Sequence, residues 1–298
     1  MQEEIITAIF CDVDDFCKAF EEYCKSHLLE ENTGKTKFFP KSQMTISEVM
    51  TILIYFHLSG YRTFKWYYKR CVCKTLKAYF PKTLSYNRFV EIMQITILPL
   101  TLYMMKYRPV KCSGISFIDS TTLDVCHNRR IHSHKVFAGI AARGKSSTGW
   151  FYGFKLHLVI NDKGEIITFC LTAGNVDDRD FNLIEKLSKD LFGKLFGDKG
   201  YLSAKTFQQL FEKGITLVTK IRKNMKNVFM DLSDKILLRK RAIIESVNDF
   251  LKNICQIEHS RHRSAMNFLA NLISGLVAYS FLPKKPSLHL GNVLALGV

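Results

Sequence analysis

Proline is scarce in this chain, with six residues in 298 and none between Val110 and Leu282. Nothing in that long stretch therefore breaks a helix interior or a central strand through a missing donor. Acids are also in deficit, with 27 Asp and Glu against 43 Lys and Arg, a formal +16 at pH 7. Such a balance favours a polyanionic partner. The N-terminal MQEEIITAIF is acidic where a secretion leader would be basic. Long apolar runs are interrupted too. Ala265 to Leu282 carries Asn267, Asn271, Ser274 and Ser280, which makes it a packed amphipathic helix rather than a span, and no membrane partner is expected. The nine cysteines are odd in number and scattered, and Cys71 and Cys73 lack the two-residue gap of a zinc knuckle, so the thiols read as buried or incidental in a reducing compartment. Internal repeats and low-complexity segments are missing as well.

What is present is a chain with 47% hydrophobic residues, enough for a substantial core, most simply one main domain and a smaller accessory region. Its charge is unevenly placed. Residues 1–32 hold nine acids against Lys18 and Lys25, whereas Thr33 to Cys112 holds fourteen Lys or Arg against Glu48 and Glu91. A basic stretch of that kind suits nucleic-acid phosphates and equally describes a solvated basic face. Residues 64–77, FKWYYKRCVCKTLK, interleave aromatic with basic side chains and read either as a nucleic-acid-facing helix or as a packed amphipathic one.

Pro109 and Pro283 bracket the main domain. Before it, Ser47 to Leu58, Thr63 to Tyr79 and Ser85 to Ile97 read as helices, with Ser47 and Ser85 as caps and Gly60 as a break. After it the pattern turns to short strands. Gly114 to Ile118 runs into Asp119; Phe154 to Ile160 alternates as a half-buried strand; Asn161-Asp162-Lys163-Gly164 is a turn into a second strand, Glu165 to Thr172. Asp178 to Leu191 then reads as a helix, Lys194 to Gly197 as a strand, Ser203 to Lys213 as a helix closed by Gly214, and Ile215 to Ile221 as a strand. The expected class is α/β with mixed character, preceded by an α-helical N-terminal domain. The expected divisions are 1–112, a helical, basic region suited to nucleic acid, 113–285, the main domain, and 286–298, a tail.

Three phrases supply carboxylates in distinct settings: FIDST around Asp119 after a strand-like run, GDKGY around Asp198 after another, and RAIIESVNDFLK around Glu245 inside a helical pattern. Hard divalent cations prefer a few carboxylates together with substrate phosphate oxygens, and two such ions can activate an attacking oxygen and stabilise a leaving one. Arg241, Glu245 and Lys252 fall at i, i+4 and i+11, on one helical face. The same residues also describe an exposed helix held by an Arg-to-Glu pair, with Ile243, Ile244, Val247 and Leu251 as its core stripe. Singly, Asp119 is also the position of a turn aspartate and Asp198 that of a cap. Asp124 is a second-rank candidate, and Asp177, Asp178 and Asp180 are accounted for by a helix dipole. His127, His132 and His134 lie among Arg129, Arg130 and Lys135. No cysteine pair completes a four-ligand site there, so a DNA-facing basic loop is the better reading.

With FIDSTTLDVCHNRRIHSHKVFAGIA, GKSSTGWFYGFKLHLVINDKGE, LTAGNVDDRD, LFGDKGYLS, TKIRKNMKN and LLRKRAIIESVNDFLKNICQIEHSRHRSAMNFL, the chain over roughly residues 115–285 resembles the DDE transposases of bacterial insertion sequences, in particular the insertion-sequence 982 family. The resemblance implies a ribonuclease-H-like mixed sheet flanked by helices, with Asp119 and Asp198 as catalytic aspartates and Glu245 as catalytic glutamate. All three would be ligands of two Mg²⁺ ions, for which Mn²⁺ would substitute. It implies binding of terminal inverted repeats, hydrolysis to a 3′-hydroxyl and attack of that hydroxyl on target DNA, by a homodimer or higher oligomer in a bacterial cytoplasm, associated with the nucleoid. A related Tyr-x2-Arg-x3-Glu-x6-Lys pattern matches Arg241, Glu245 and Lys252, with Leu238 in the tyrosine position. Lys199, Arg222, Lys223, Arg241, Lys252, Arg261, Arg263, Arg129 and Arg130 are the candidate DNA contacts. Two other readings share these residues: a DNA-binding protein whose catalysis is lost or repurposed, and a metal-dependent nuclease without strand transfer.

Overall fold

The computed structural model describes residues 2–28, 42–146, 149–220, 229–258 and 262–288. The chain divides into two compact units. One comprises Met1–Pro109, Leu251–Ile257 and His262–Leu282, and the other Val110–Phe250, Glu258–Arg261 and Pro283–Val298.

The first unit is helical. Its elements are α1 (Gln2–Leu28), α2 (Ile46–Phe56), the short α3 (Phe64–Tyr67), α4 (Tyr86–Ile92) and α5 (Ile97–Leu102). The cap of α2 is Thr45 rather than Ser47. Thr45 accepts from Glu48 N while Glu48 accepts from Thr45 N, and Ser47 is buried within the first turn. Ser85 caps α4 as expected, and Gly60 breaks the chain at φ +75°. The helix read as ending at Ile97 instead continues through α5 and a π turn to Tyr107, because Pro99 lies in the first turn after a 3₁₀ segment, where its missing donor costs little. This run, Tyr86–Tyr107, is apolar and long enough to cross a membrane. Its Phe89, Ile92, Met93, Leu100 and Tyr103 are buried in the core of the helical unit.

The aromatic and basic segment after Gly60 packs as an amphipathic helix. Tyr67, Tyr68, Cys71 and Val72 are buried, while Trp66 and Arg70 stack outward with the guanidinium 4.6 Å from the ring centroid. The C-terminal helix α10 (Ala265–Ser280) belongs to this same core through Ala270, Ile273, Val277 and Ala278. His57 ties the pieces together, bonding Ser274 Oγ at 3.1 Å and the Cys255 carbonyl. Burial pushes its pKa down to about 4, so the ring is neutral.

The second unit is built on a six-stranded mixed sheet: β1 (Ile115–Cys126), β2 (Ala142–Ser146), β3 (Gly149–Asn161), β4 (Ile166–Ala173), β5 (Gly193–Gly197) and β6 (Ile215–Thr219). Strand β3 pairs antiparallel with β1 along one edge and, on its other edge, with β2 and then β4. Strands β5 and β6 add in parallel beyond β1. The mixed α/β class with helices on the sheet is thus as expected. The hairpin is closed by Asn161, whose Oδ1 accepts from Lys163 N and Glu165 N at 3.0 Å, with Gly164 at φ +70°. Ile118, Val159 and Leu195 pack with Leu183, Leu187 and Leu210 of α6 (Phe181–Leu187) and α7 (Ala204–Glu212). Helix α9 (Ala242–Asp249) lies against β1, and α8 (Leu232–Lys240) against β5 and β6.

The sheet corrects two readings. Strand β1 does not stop at Asp119 but continues to Cys126, since Thr121, Thr122 and Leu123 pair with Leu156, Lys155 and Phe154. Helix α6 starts after Asp180, whose Oδ1 accepts from Leu183 N at 3.0 Å, not at Asp178. Gly153 shows how closely β1 and β3 approach, for a Cβ there would stand 2.0 Å from the Leu123 carbonyl oxygen. Gly153→Ala is therefore expected to force the strands apart and to destabilise the unit by about 2–3 kcal/mol, read as a fall in melting temperature.

Candidate active site

Strand alternation decides which face each carboxylate serves. Ile118 points into the α6 and α7 side, so Asp119 projects to the other face, where α9 lies. There Asn248 Nδ2 donates to Asp119 Oδ2 at 3.2 Å, and Arg241 Nη1 stands 3.6 Å from Asp119 Oδ1. Arg241 also pairs with Glu245, Nη2 to Oε1, at 2.7 Å. The guanidinium thus bridges two of the three expected carboxylates. Its Nη1 is buried and makes no hydrogen bond.

Asp198 follows the last residue of β5 and enters a 3₁₀ turn, Lys199–Tyr201, with its carboxylate exposed and not used as a cap. Burial, first of all, pushes the Asp119 carboxyl up to about 6. Arg241 works against that rise, while the negative charges of Glu245 and Asp198 add to it. Glu245 and Asp198 are therefore both close enough for their charges to act on Asp119. Among the described residues, however, no three acidic, histidine or cysteine side chains stand together as a ready metal-binding group. The donor set itself suits a hard divalent cation, being carboxylate oxygen only. The positive charge at its centre is Arg241.

Arg241 sits at the junction of α8 and α9 in helical conformation, so its i, i+4 relation to Glu245 is realised. The relation to Lys252 is not an α-helical one, because residues Phe250–Ile254 form a π turn that shifts the phase of the face. Lys199, Arg129, Arg130 and Arg263 are exposed, Arg129 and Arg130 in the 3₁₀ turn Asn128–Ser133. Arg222, Lys223 and Arg261 lie outside the described residues. His134 is engaged in packing, stacked 5.6 Å from Phe137.

Asp178, expected as a helix-dipole residue, lies before α6 and faces the sheet instead. It holds Lys155 Nζ at 3.0 Å and accepts from Ser120 Oγ at 3.3 Å, on the face of β1 opposite Asp119. Buried His157 stands 4.0 Å from it and bonds Thr172 Oγ1 at 2.9 Å. Burial drives that imidazole down to about 4, so Lys155 is the cation that balances Asp178. The only sequence mark of this cluster is the alternation of Lys155 and His157 along β3.

The sheet unit thus brings together carboxylates from a strand, a strand end and a helix. Residues 109–265, just over half of the chain, match the family described as Transposase DDE domain, and the chain belongs to that family. DDE transposase domains use divalent metal ions. No curated protein matches the chain. Among solved structures, the chain is similar to that titled "Cryo-EM structure of piggyBac transposase synaptic complex with hairpin DNA", at 11% sequence identity with a TM-score of 0.43, over 94% of this chain and 74% of that one.

Proposed function

We propose that the protein is an insertion-sequence transposase, of the 982 family suggested by its motifs, which cuts DNA at the ends of its element and joins the freed 3′-hydroxyl to target DNA. The observation that carries this reading is that the charges of Asp198 and Glu245, from elements far apart in the chain, both act on the buried Asp119. The strand order β4-β3-β1-β5-β6, antiparallel then parallel, is what we read as ribonuclease-H-like. Asp119, Asp198 and Glu245 would hold the divalent ions. Bound there, such ions would activate a water or hydroxyl nucleophile and neutralise the leaving oxygen. The chain's own residues do the rest. Asn248 fixes the Asp119 carboxylate, the sheet holds Asp119 and Asp198 rigidly, and exposed Lys199, Arg129 and Arg130 offer charge to phosphates. The basic helical unit, with Lys252 and Arg263, would grip the DNA ends, and two or more copies would bring the ends together.

The test is incubation of the purified protein with DNA carrying the inverted repeats that flank its gene. Cleavage is expected to require Mg²⁺ or Mn²⁺, to stop on chelation, and to yield joined products with a second DNA. Cleavage without joining would favour a nuclease, and metal-independent binding alone a repurposed DNA-binding protein.

A further inference from the structure

An open cleft of about 600 Å³ beside β2 is not used by the carboxylate site. It lies wholly within the sheet unit. Gly144 and Gly174 line it, and neither has room for a side chain against the neighbouring strands. A Cβ on Gly144 would stand 2.2 Å from the Gly174 carbonyl and 2.7 Å from the Phe151 ring, and one on Gly174 would stand 2.7 Å from the Ala142 carbonyl.

One wall is the segment after β4, pinned by Lys155 Nζ to the Val176 carbonyl at 2.9 Å and to Asp178 at 3.0 Å. Its other acid, Asp177, is held by Arg179 at 2.6 Å, which keeps its carboxyl down at about 2. Both wall acids are therefore balanced by their own cations. The opposite wall is different. Arg143 and Lys145, two apart on β2, share a face, and Lys145 is in register with Trp150 on β3. The Arg143 guanidinium lies 4.7 Å and the Lys145 ammonium 5.8 Å from the Trp150 ring centroid. Among the described residues neither cation has an acidic partner, and Trp150 remains 54% exposed.

A half-exposed indole with two unbalanced cations over its ring suits a ligand with a flat aromatic face and a negative charge. That is the chemistry of a nucleotide. Bases inside a duplex hide their faces against one another, so the strand must be unpaired where it meets the ring. We propose that this cleft holds one unpaired nucleotide of a DNA strand, its base stacked on Trp150 and its phosphate on Arg143 and Lys145. Gly200, two residues past Asp198 in the chain, also lines the cleft. The inference rests on the reading of the chain as a DNA-cutting enzyme and adds the requirement for a locally opened strand.

The experiment uses the full chain carrying Trp66→Phe, so that Trp150 alone reports. A thymidylate dodecamer and a duplex of equal length are titrated separately, with affinity read independently from the anisotropy of an end label. The dodecamer is expected to quench Trp150 emission as it saturates. Trp150→Leu is expected to weaken dodecamer binding about 5- to 150-fold and duplex binding less, with Trp150→Phe keeping most of the affinity. Saturating dodecamer binding with unchanged emission, or wild-type affinity in Trp150→Leu, would overturn the proposal. If Mg²⁺-dependent cleavage of end DNA is present alongside either result, the cleft assignment falls and the catalytic reading stands. Quenching and weakened binding without any cleavage would sustain the cleft and sink the catalytic reading.

Discussion

Asp119→Asn is expected to raise the melting temperature of the metal-free protein at pH 8 while abolishing its Mg²⁺-dependent cleavage of DNA. The stabilisation follows from the carboxyl being pushed up to about 6 in the fold from an ordinary 3.8. A difference of about two units corresponds to at most about 3 kcal/mol, from which the partial exposure of the side chain subtracts. The sign is set by proton binding. The folded state holds the proton more tightly than the unfolded chain, so stability falls as pH rises from about 4 through about 6. The variant lacks that loss. Wild type and variant should therefore melt together near pH 4 and diverge above pH 7, by about 2–8 °C in favour of the variant. Mg²⁺ should raise the melting temperature of the wild type at pH 8 and leave the variant unmoved, since a cation at the site removes the cost of the buried charge. A loss of cleavage on the order of 10³-fold or more would correspond to about 4 kcal/mol of lost transition-state stabilisation. If the variant melted below the wild type at pH 8, the burial of an unfavourable charge at Asp119 would be refuted.

How much of this was legible in the sequence depends on whether the deciding interactions are local. The hairpin around Asn161, α7 between Ser203 and Gly214, and strands β5 and β6 are fixed by turn and cap chemistry within a few residues, and they fell where the pattern put them. Strand β2 did not announce itself. Ala-Arg-Gly-Lys-Ser has no β-branched residue, and it is a strand because β3 offers it an edge. The length of β1 has the same origin, as Thr121 and Thr122 gain partners only when β3 is in place.

The site divides in the same way. Arg241 and Glu245 form a pair that i, i+4 spacing alone foretells, and the settings of Asp119 and Asp198 were readable as strand followed by acid. That Asp119 is buried and shared with Arg241 and Asn248 required the fold. Asn248 did leave a signal: it follows Val247 and stands four residues after Ile244, both buried, so a polar amide sits beside an apolar stripe and needs a partner. Asp178 left none, because the cap position two residues later explained its neighbourhood well enough by itself.

Arg241 sets the second large effect. Its guanidinium joins buried Asp119 to the more exposed Glu245 and stands where a divalent ion would have to balance both. Removing one partner of such a buried pair leaves an uncompensated charge, so Arg241→Met is expected to destabilise the metal-free protein at pH 8 by about 3 kcal/mol, a fall of about 6–12 °C. The penalty should fade toward pH 5, because Asp119, relieved of the cation that works against its rise, takes up a proton at a pH above its present value of about 6. Mg²⁺ should then stabilise the variant at pH 8 by more degrees than it stabilises the wild type, since in the wild type it must first displace the positive charge already there. Melting curves across pH 5–8, with and without Mg²⁺, separate this from simple loss of packing. A packing defect would persist at pH 5 and would not respond to the ion, and that outcome would show that Arg241 is not the charge that holds the site together before metal arrives.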